Sequence, residues 1–307
     1  MLPFVLAAAL AIAPFSVLDD SLAARIAARI AALPGARAGV AFIDLQRSDS
    51  LLLDADSSFH AASTMKVPVM IELFREADAG GLSLDQPILL VNSFGSIADG
   101  SSFSTSPGED SDSSVYALVG TRVPVHVLIQ RMIVRSSNLA TNALVALVGA
   151  PRVTSAMRSL GASRIQVLRG VEDGKAFERG MNNTTTARDL AIIMAALEQN
   201  RAASRASCRA MREILLAQEF NDRIPAGLPP GTPVAHKTGD ITGVMHDAAI
   251  IYPRARSPYV LVVLTRGIPD PAMARGLIAD ISRMVYDHVV RGNPQRRDTL
   301  PAAPPAR

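Results

Sequence analysis

The chain has 307 residues, 49% of them hydrophobic and 19% charged, which is enough apolar material for a core and rules out a disordered chain. Lys plus Arg number 31 against 28 Asp plus Glu, so the net charge is +3; with no Trp and no basic run interleaved with aromatics, no nucleic-acid partner is expected. A single cysteine, Cys208, excludes an internal disulfide, a thiolate zinc cluster and an iron–sulfur site, and reads as a packing residue.

Residues Met1–Leu18 carry no charge and have the length of a signal-peptide apolar region, too short for a stable membrane span. They read as an export signal, which puts the mature protein in the periplasm or outside the cell; the other reading is a buried apolar N-terminus. Asp19 and Asp20 then precede Leu22, Ile26 and Ile30, the spacing of an N-capped helix that Pro34-Gly35 ends. Val40–Leu45 and Leu51–Leu53 read as two strands around a polar turn. A helical region begins at Ser63 and closes at Gly80-Gly81. Residues Asn92–Ser114 are rich in Ser, Gly and Asp and too long for a simple connector, so a lid over a cleft is the expectation there. Helical patterns resume over Val123–Val148, Thr186–Glu198 and Ala206–Ala217. Strands return at Pro233–Thr238, His246–Tyr252 and Tyr259–Thr265, and a helix over Pro271–Val290 finishes the fold.

This order predicts an α+β protein whose two chain ends build one antiparallel sheet flanked by helices, with an all-helical lobe inserted between them. Residues 19–62 and 218–292 form the α/β lobe, 63–217 the helical lobe, and 293–307 a disordered tail rich in Pro and Arg. A site for a small molecule is expected in the cleft between the lobes.

Arginine supplies nearly all the positive charge, and only Lys66, Lys175 and Lys237 are lysines. Arg keeps its proton near neutral pH, whereas a desolvated Lys can shed one, so the retained lysines point to chemistry. Ser63-Thr64-Met65-Lys66 opens a helix, and positions i and i+3 share a face, so hydroxyl and amine can meet. The free N–H groups of the helix start favour an oxyanion there and lower the proton affinity of Lys66. A serine beside an unprotonated lysine is an activated nucleophile; a helix cap beside a surface lysine is the alternative. Ser136-Ser137-Asn138 follows an apolar helical run and would turn a hydroxyl and an amide toward the cleft, unless it is a Ser-rich cap. Lys237-Thr238-Gly239 ends a strand in which a buried lysine needs a partner or a task, and Gly239 would let a ligand backbone come close.

Taken in order, S-x-x-K, S-x-N and K-T-G resemble the class A β-lactamases and penicillin-binding proteins over roughly residues 40–290. Asn142 and the Thr184-Thr185-Thr186-Ala187-Arg188-Asp189 helix start extend the likeness. The resemblance implies an acyl-enzyme mechanism on a β-lactam or a peptidoglycan-like substrate, with no cofactor. Ser63 would attack the carbonyl, and the backbone N–H groups of Ser63 and Asp240 would bind the oxyanion. Lys66 would take the proton, and Ser136 would relay one to the leaving nitrogen. Lys237 and Thr238 would bind the substrate carboxylate and Asn138 the side-chain amide, with Gly239 and Asp240 also among the substrate-binding residues. The chain departs from the pattern at Ser137, where these enzymes usually carry Asp. It also lacks a clean E-x-x-L-N run for the deacylation base; Glu178 fits the spacing to Asn182, but Glu172, three residues after Arg169, fits better by position and is the base the resemblance favours. His246 stands where a cation often holds the substrate carboxylate, although a strand histidine satisfied by a neighbour fits equally.

The five histidines (His60, His126, His236, His246, His288) have no metal-ligand spacing, so no metal is expected. The expected activity is therefore a monomeric serine β-lactamase. Its alternatives are a D,D-peptidase-like or esterase-like hydrolase, and a penicillin-binding sensor that acylates without turning over.

Overall fold

The computed structural model describes residues 20–47, 49–254 and 256–291; the expected export signal and the tail beyond residue 292 lie outside these described residues. The chain opens with α1 (Asp20–Ala31), whose Leu22 and Ile26 are buried and which ends ahead of Gly35 at φ 76°. β1 (Arg37–Asp44) and β2 (Ser50–Leu53) pair antiparallel, with Phe42 opposite Leu51. A short β3 (Phe59–His60) leads into a 3-10 turn, Ala62–Met65, and α2 (Lys66–Asp78) follows.

The middle of the chain holds β4 (Pro87–Leu89), β5 (Phe94–Gly95), β6 (Ser102–Phe103), β7 (Arg122–Pro124), α3 (Val125–Val134), α4 (Asn138–Val148) and α5 (Ala150–Ser159). It continues through α6 (Gly174–Glu178), β8 (Thr184–Thr185), α7 (Ala187–Glu198) and α8 (Arg205–Leu216). The stretch expected as one helical pattern from Val123 to Val148 is thus two helices, because Ser136 takes φ 58° and ends the ladder between them. The run 92–114 contains the β5–β6 hairpin.

β9 (Val234–Ile241), β10 (Val244–Ile251) and β11 (Tyr259–Arg266) return the chain to the sheet, and α9 (Pro271–Arg291) closes it. The sheet order is β2-β1-β11-β10-β9, antiparallel throughout, so its strands do come from both chain ends. β9 runs three residues beyond the expected end at Thr238, which places Gly239 and Asp240 inside a strand; Gly243, at φ 70°, makes the turn into β10.

The apolar run of β11 lies between two helical layers. Successive side chains of a strand point to opposite faces. Tyr259, Leu261 and Val263 enter one core with α1 and α9, while Val260, Val262 and Leu264 enter the other with α2–α4 and α7. Helix on both faces explains why this antiparallel strand shows no polar alternation. No helix among the described residues is long and apolar enough to cross a membrane.

Candidate active site

Ser63 sits in the 3-10 turn ahead of α2, and the α-helix proper begins only at Lys66, whose backbone N–H bonds Ser63 O. The turn is tied down locally: Thr64 Oγ1 donates to Ala61 O at 2.6 Å, and His60 Nδ1 accepts from the Ala62 N–H at 3.0 Å. β9 presses against it. A Cβ on Gly239 would lie 3.0 Å from both Ser63 N and Thr64 N and 3.2 Å from the Ala62 Cβ. The glycine therefore leaves room for the Ser63 turn against the strand. That contact brings β9 beside Ser63, the arrangement an oxyanion site between Ser63 and Asp240 requires.

Two amines meet at one hydroxyl. Lys66 Nζ donates to Ser136 Oγ at 3.2 Å, and Lys237 Nζ donates to the same oxygen at 3.0 Å. Lys66 Nζ also donates to Ser136 O at 2.7 Å and to Asn138 Oδ1 at 2.8 Å, while Lys237 Nζ donates to Thr238 O at 2.9 Å. Both lysines are fully buried. Burial lowers Lys66 to about 7, against the opposing pull of Asp110, Glu172 and Asp240. Lys237 is pushed well below the usual lysine range by burial first and by Lys66 and Arg223 after it. Among the described residues no hydrogen bond joins Ser63 Oγ to Lys66 Nζ; the amine is engaged on the Ser136–Asn138 side. Catalytic contacts of this kind often close only with substrate in place.

The carboxylate comes from the segment after α5. Asn142 grips its backbone: Val171 N–H donates to Asn142 Oδ1 at 2.6 Å, and Asn142 Nδ2 donates to Val171 O at 3.0 Å. Gly170 makes room, because a Cβ there would stand 2.1 Å from Asn142 Oδ1. The next residue, Glu172, takes φ 61°, and its Oε1 accepts from Asn138 Nδ2 at 2.5 Å. Burial raises its proton affinity, as do Asp110 and Glu109, while the Asn138 amide and Lys66 oppose the rise. Glu178 lies exposed at the end of α6. Of the two candidate bases, Glu172 is the one linked to Lys66, through the side chain of Asn138.

Three of the five non-glycine residues with left-handed backbone among those described, Ala62, Ser136 and Glu172, belong to this site. Such conformations cost on the order of 1–3 kcal/mol each and persist only where surroundings enforce them.

His246 does not serve as a cation. It is fully buried, with Nε2 2.8 Å from His60 O and Nδ1 2.7 Å from Met245 O and 3.1 Å from the Thr265 N–H, which spends both ring nitrogens on backbone. Burial lowers it to about 4, so the ring is neutral at ordinary pH. The guanidinium that the sequence did not single out is Arg223, 5% exposed, which donates to His246 O at 2.9 Å and Asp240 Oδ1 at 2.8 Å and stands behind β9.

The cleft above these groups has a volume of about 420 Å³, and Ser63, Asn138, Glu172 and Asp240 line it together with Glu109 and Phe177. Lys66, Ser136, Lys237, Thr238 and His246 are buried beneath it. No group of three or more His, Cys, Asp or Glu side chains among the described residues could hold a metal ion.

A family model described as the Beta-lactamase enzyme family matches residues 21–289. A β-lactamase of Streptomyces albus G is 30% identical over 258 residues, 82% of this chain and 80% of that protein. The crystal structure of a β-lactamase from Sphaerobacter thermophilus is 30% identical with a TM-score of 0.74, covering 90% of this chain and all of that one. A PBP-A variant in an acyl-enzyme complex with penicillin G is 27% identical with a TM-score of 0.75, over 88% of this chain and 97% of that one. The hydroxyl, two buried amines and loop carboxylate thus sit in a fold shared over most of its length, and the chain belongs to the β-lactamase enzyme family.

Proposed function

We propose that this serine β-lactamase opens the lactam amide through an acyl-enzyme on Ser63. The convergence of Lys66 Nζ and Lys237 Nζ on Ser136 Oγ carries the reading. Lys66, whose proton affinity burial lowers to about 7, accepts the Ser63 proton as Oγ attacks the carbonyl. The backbone N–H groups of Ser63 and Asp240 hold the developing oxyanion. Ser136, bonded to both amines, passes a proton to the departing lactam nitrogen. Lys237 and Thr238 bind the substrate carboxylate with Arg223 behind them, and Asn138 orients the acyl side chain. Glu172 then activates water against the ester, and burial supports that role by raising its affinity for the proton it must accept.

The apolar run Met1–Leu18 supports export to the periplasm or beyond.

The likeness to PBP-A, seen as an acyl-enzyme with penicillin G, keeps a penicillin-binding domain that acylates without turning over as the second reading. Nitrocefin kinetics separate the two. Sustained turnover beyond one equivalent is expected; a single stoichiometric burst would replace the β-lactamase reading with the penicillin-binding one. No reaction would point to a peptidoglycan or ester substrate. Ser63→Ala should abolish covalent labelling by a fluorescent penicillin, and persistent labelling would remove Ser63 as the nucleophile.

A further inference from the structure

The start of a helix leaves its first N–H groups in need of acceptors. At α4 the cap residue Ser137 satisfies one, accepting from the Ala140 N–H at 3.2 Å. The two N–H groups before it turn elsewhere. Asp110 Oδ2 accepts from Asn138 N and Leu139 N, both at 2.9 Å, and from the Ser137 hydroxyl at 3.2 Å. Asp110 is 8% exposed and arrives from the far limb of the 92–114 run, 28 residues before Asn138.

Its other oxygen anchors that limb. Asp110 Oδ1 accepts from the Asp112 N–H at 2.9 Å, and the buried Asp112 carboxylate is held by Arg131 at 3.0 Å and Arg135 at 3.6 Å. The pair straps the loop across the break between α3 and α4. That break is the one that holds Ser136 at φ 58° and aims Asn138 at Lys66 and Glu172. Ser137 is also where this chain lacks the aspartate of the S-x-N box.

We propose that Asp110 is a positioning residue, supplying from the 92–114 segment the carboxylate that Ser137 cannot, and thereby fixing Ser136 and Asn138 against Lys66 for acylation. The inference rests on the acyl-enzyme reading. The ionisable groups around Asp110 are Lys66 of α2, Glu172 of the loop after α5, and Tyr116, with Arg131 and Arg135 reached through Asp112. Its charge favours the protonated forms of both Lys66 and Glu172. A neutral residue in its place lets Lys66 lose its proton at lower pH.

The test compares wild type, D110N and D110N/S137D, following acylation by a fluorescent penicillin against pH and recording the melting temperature of each. In D110N the acylation rate constant should fall roughly 10–100-fold, the scale of a misplaced catalytic group, while the acid limb of the profile moves to lower pH. In D110N/S137D, where the charge sits on the cap residue of the same helix start, most of the rate should return and the limb should move back. A wild-type rate and limb in D110N would overturn the inference. So would a double variant that regains the melting temperature but neither rate nor limb, since Asp110 would then only hold the fold. If D110N does not fold, the double variant decides: folded and acylating supports the inference, folded and unreactive overturns it. A wild type that never acylates would instead overturn the functional reading itself.

Discussion

The two halves of the site are built differently. The amine half, Lys66, Ser136 and Lys237, is buried and carried by α2, the α3–α4 break and β9, with side-chain bonds of 3.0 and 3.2 Å meeting at one oxygen. The carboxylate half is a loop. Glu172 is half-buried, lines the open cleft and owes its place to clamps on neighbouring backbone. Asn142 holds Val171, Asn183 Oδ1 accepts from Leu168 N at 2.8 Å, and Asp173 Oδ1 caps α6 through the Ala176 N–H at 3.1 Å while binding Ser96 Oγ at 2.8 Å. A dry, rigid setting strips protons from amines. A carboxylate that must handle water needs solvent within reach. On the proposed mechanism acylation depends on the buried half and deacylation on the loop, so substitutions in the two halves should separate the two steps.

The largest effect is expected where charge is fixed in the rigid half. Arg cannot shed a proton near neutral pH, so Lys66→Arg should lower the acylation rate by ~10²–10⁴-fold, the usual contribution of a general base. In wild type the base form of Lys66 is lost as pH falls below about 7, so kcat/KM should decline on the acid side with a midpoint near there. Stopped-flow acylation across pH 5–9 (roughly the range in which such groups titrate) measures both. An Arg variant with wild-type acylation would move the base to another group.

Glu172→Gln crosses to the soft half. It preserves the shape and the neighbour Asn138 while removing the base, so hydrolysis of the acyl-enzyme should slow by ~10²–10³-fold with acylation much less affected. Intact-mass measurement should show the penicilloyl adduct persisting. Unchanged steady-state turnover would take the role from Glu172.

The same contrast explains what could be read from sequence. The amine half was legible because its groups fall in short boxes whose spacing matches regular elements, and because a chain with three lysines had kept two of them there. The sheet from both chain ends was legible from apolar runs, β11 most clearly. The 3-10 geometry at Ser63 was not, since the i, i+3 spacing is the same in either helix type. Position along the chain already favoured Glu172 over Glu178, but the clamp of Asn142 on Val171 and the left-handed backbone at Glu172 are contacts and angles that a pattern of residue types does not contain. Arg223 and Asp110 were missed for a related reason: each acts on backbone far along the chain, 16 to 28 residues away, and neither lies in a box. His246 misled because its strand position suits a cation, whereas burial keeps the ring neutral.

A subtler change touches neither a reacting atom nor the amine half. Gly170 has ordinary backbone, so Ala there is opposed by space alone: its Cβ would fall 2.1 Å from Asn142 Oδ1 and 2.9 Å from Cγ. Asn142 must then release Val171, freeing one N–H and one C=O and loosening the residue beside Glu172. An interaction of this type is worth about 1 kcal/mol net, so Gly170→Ala should slow deacylation by only about 5–10-fold. Acylation should hold, because Lys66, Ser136 and Lys237 make no contact with Gly170. Single-turnover rates for the two steps give the answer, with the melting temperature as a check on folding. A fall in both steps by the same factor would show that the loop and the amine cluster move as one body, and the division between a rigid and a soft half would have to be abandoned.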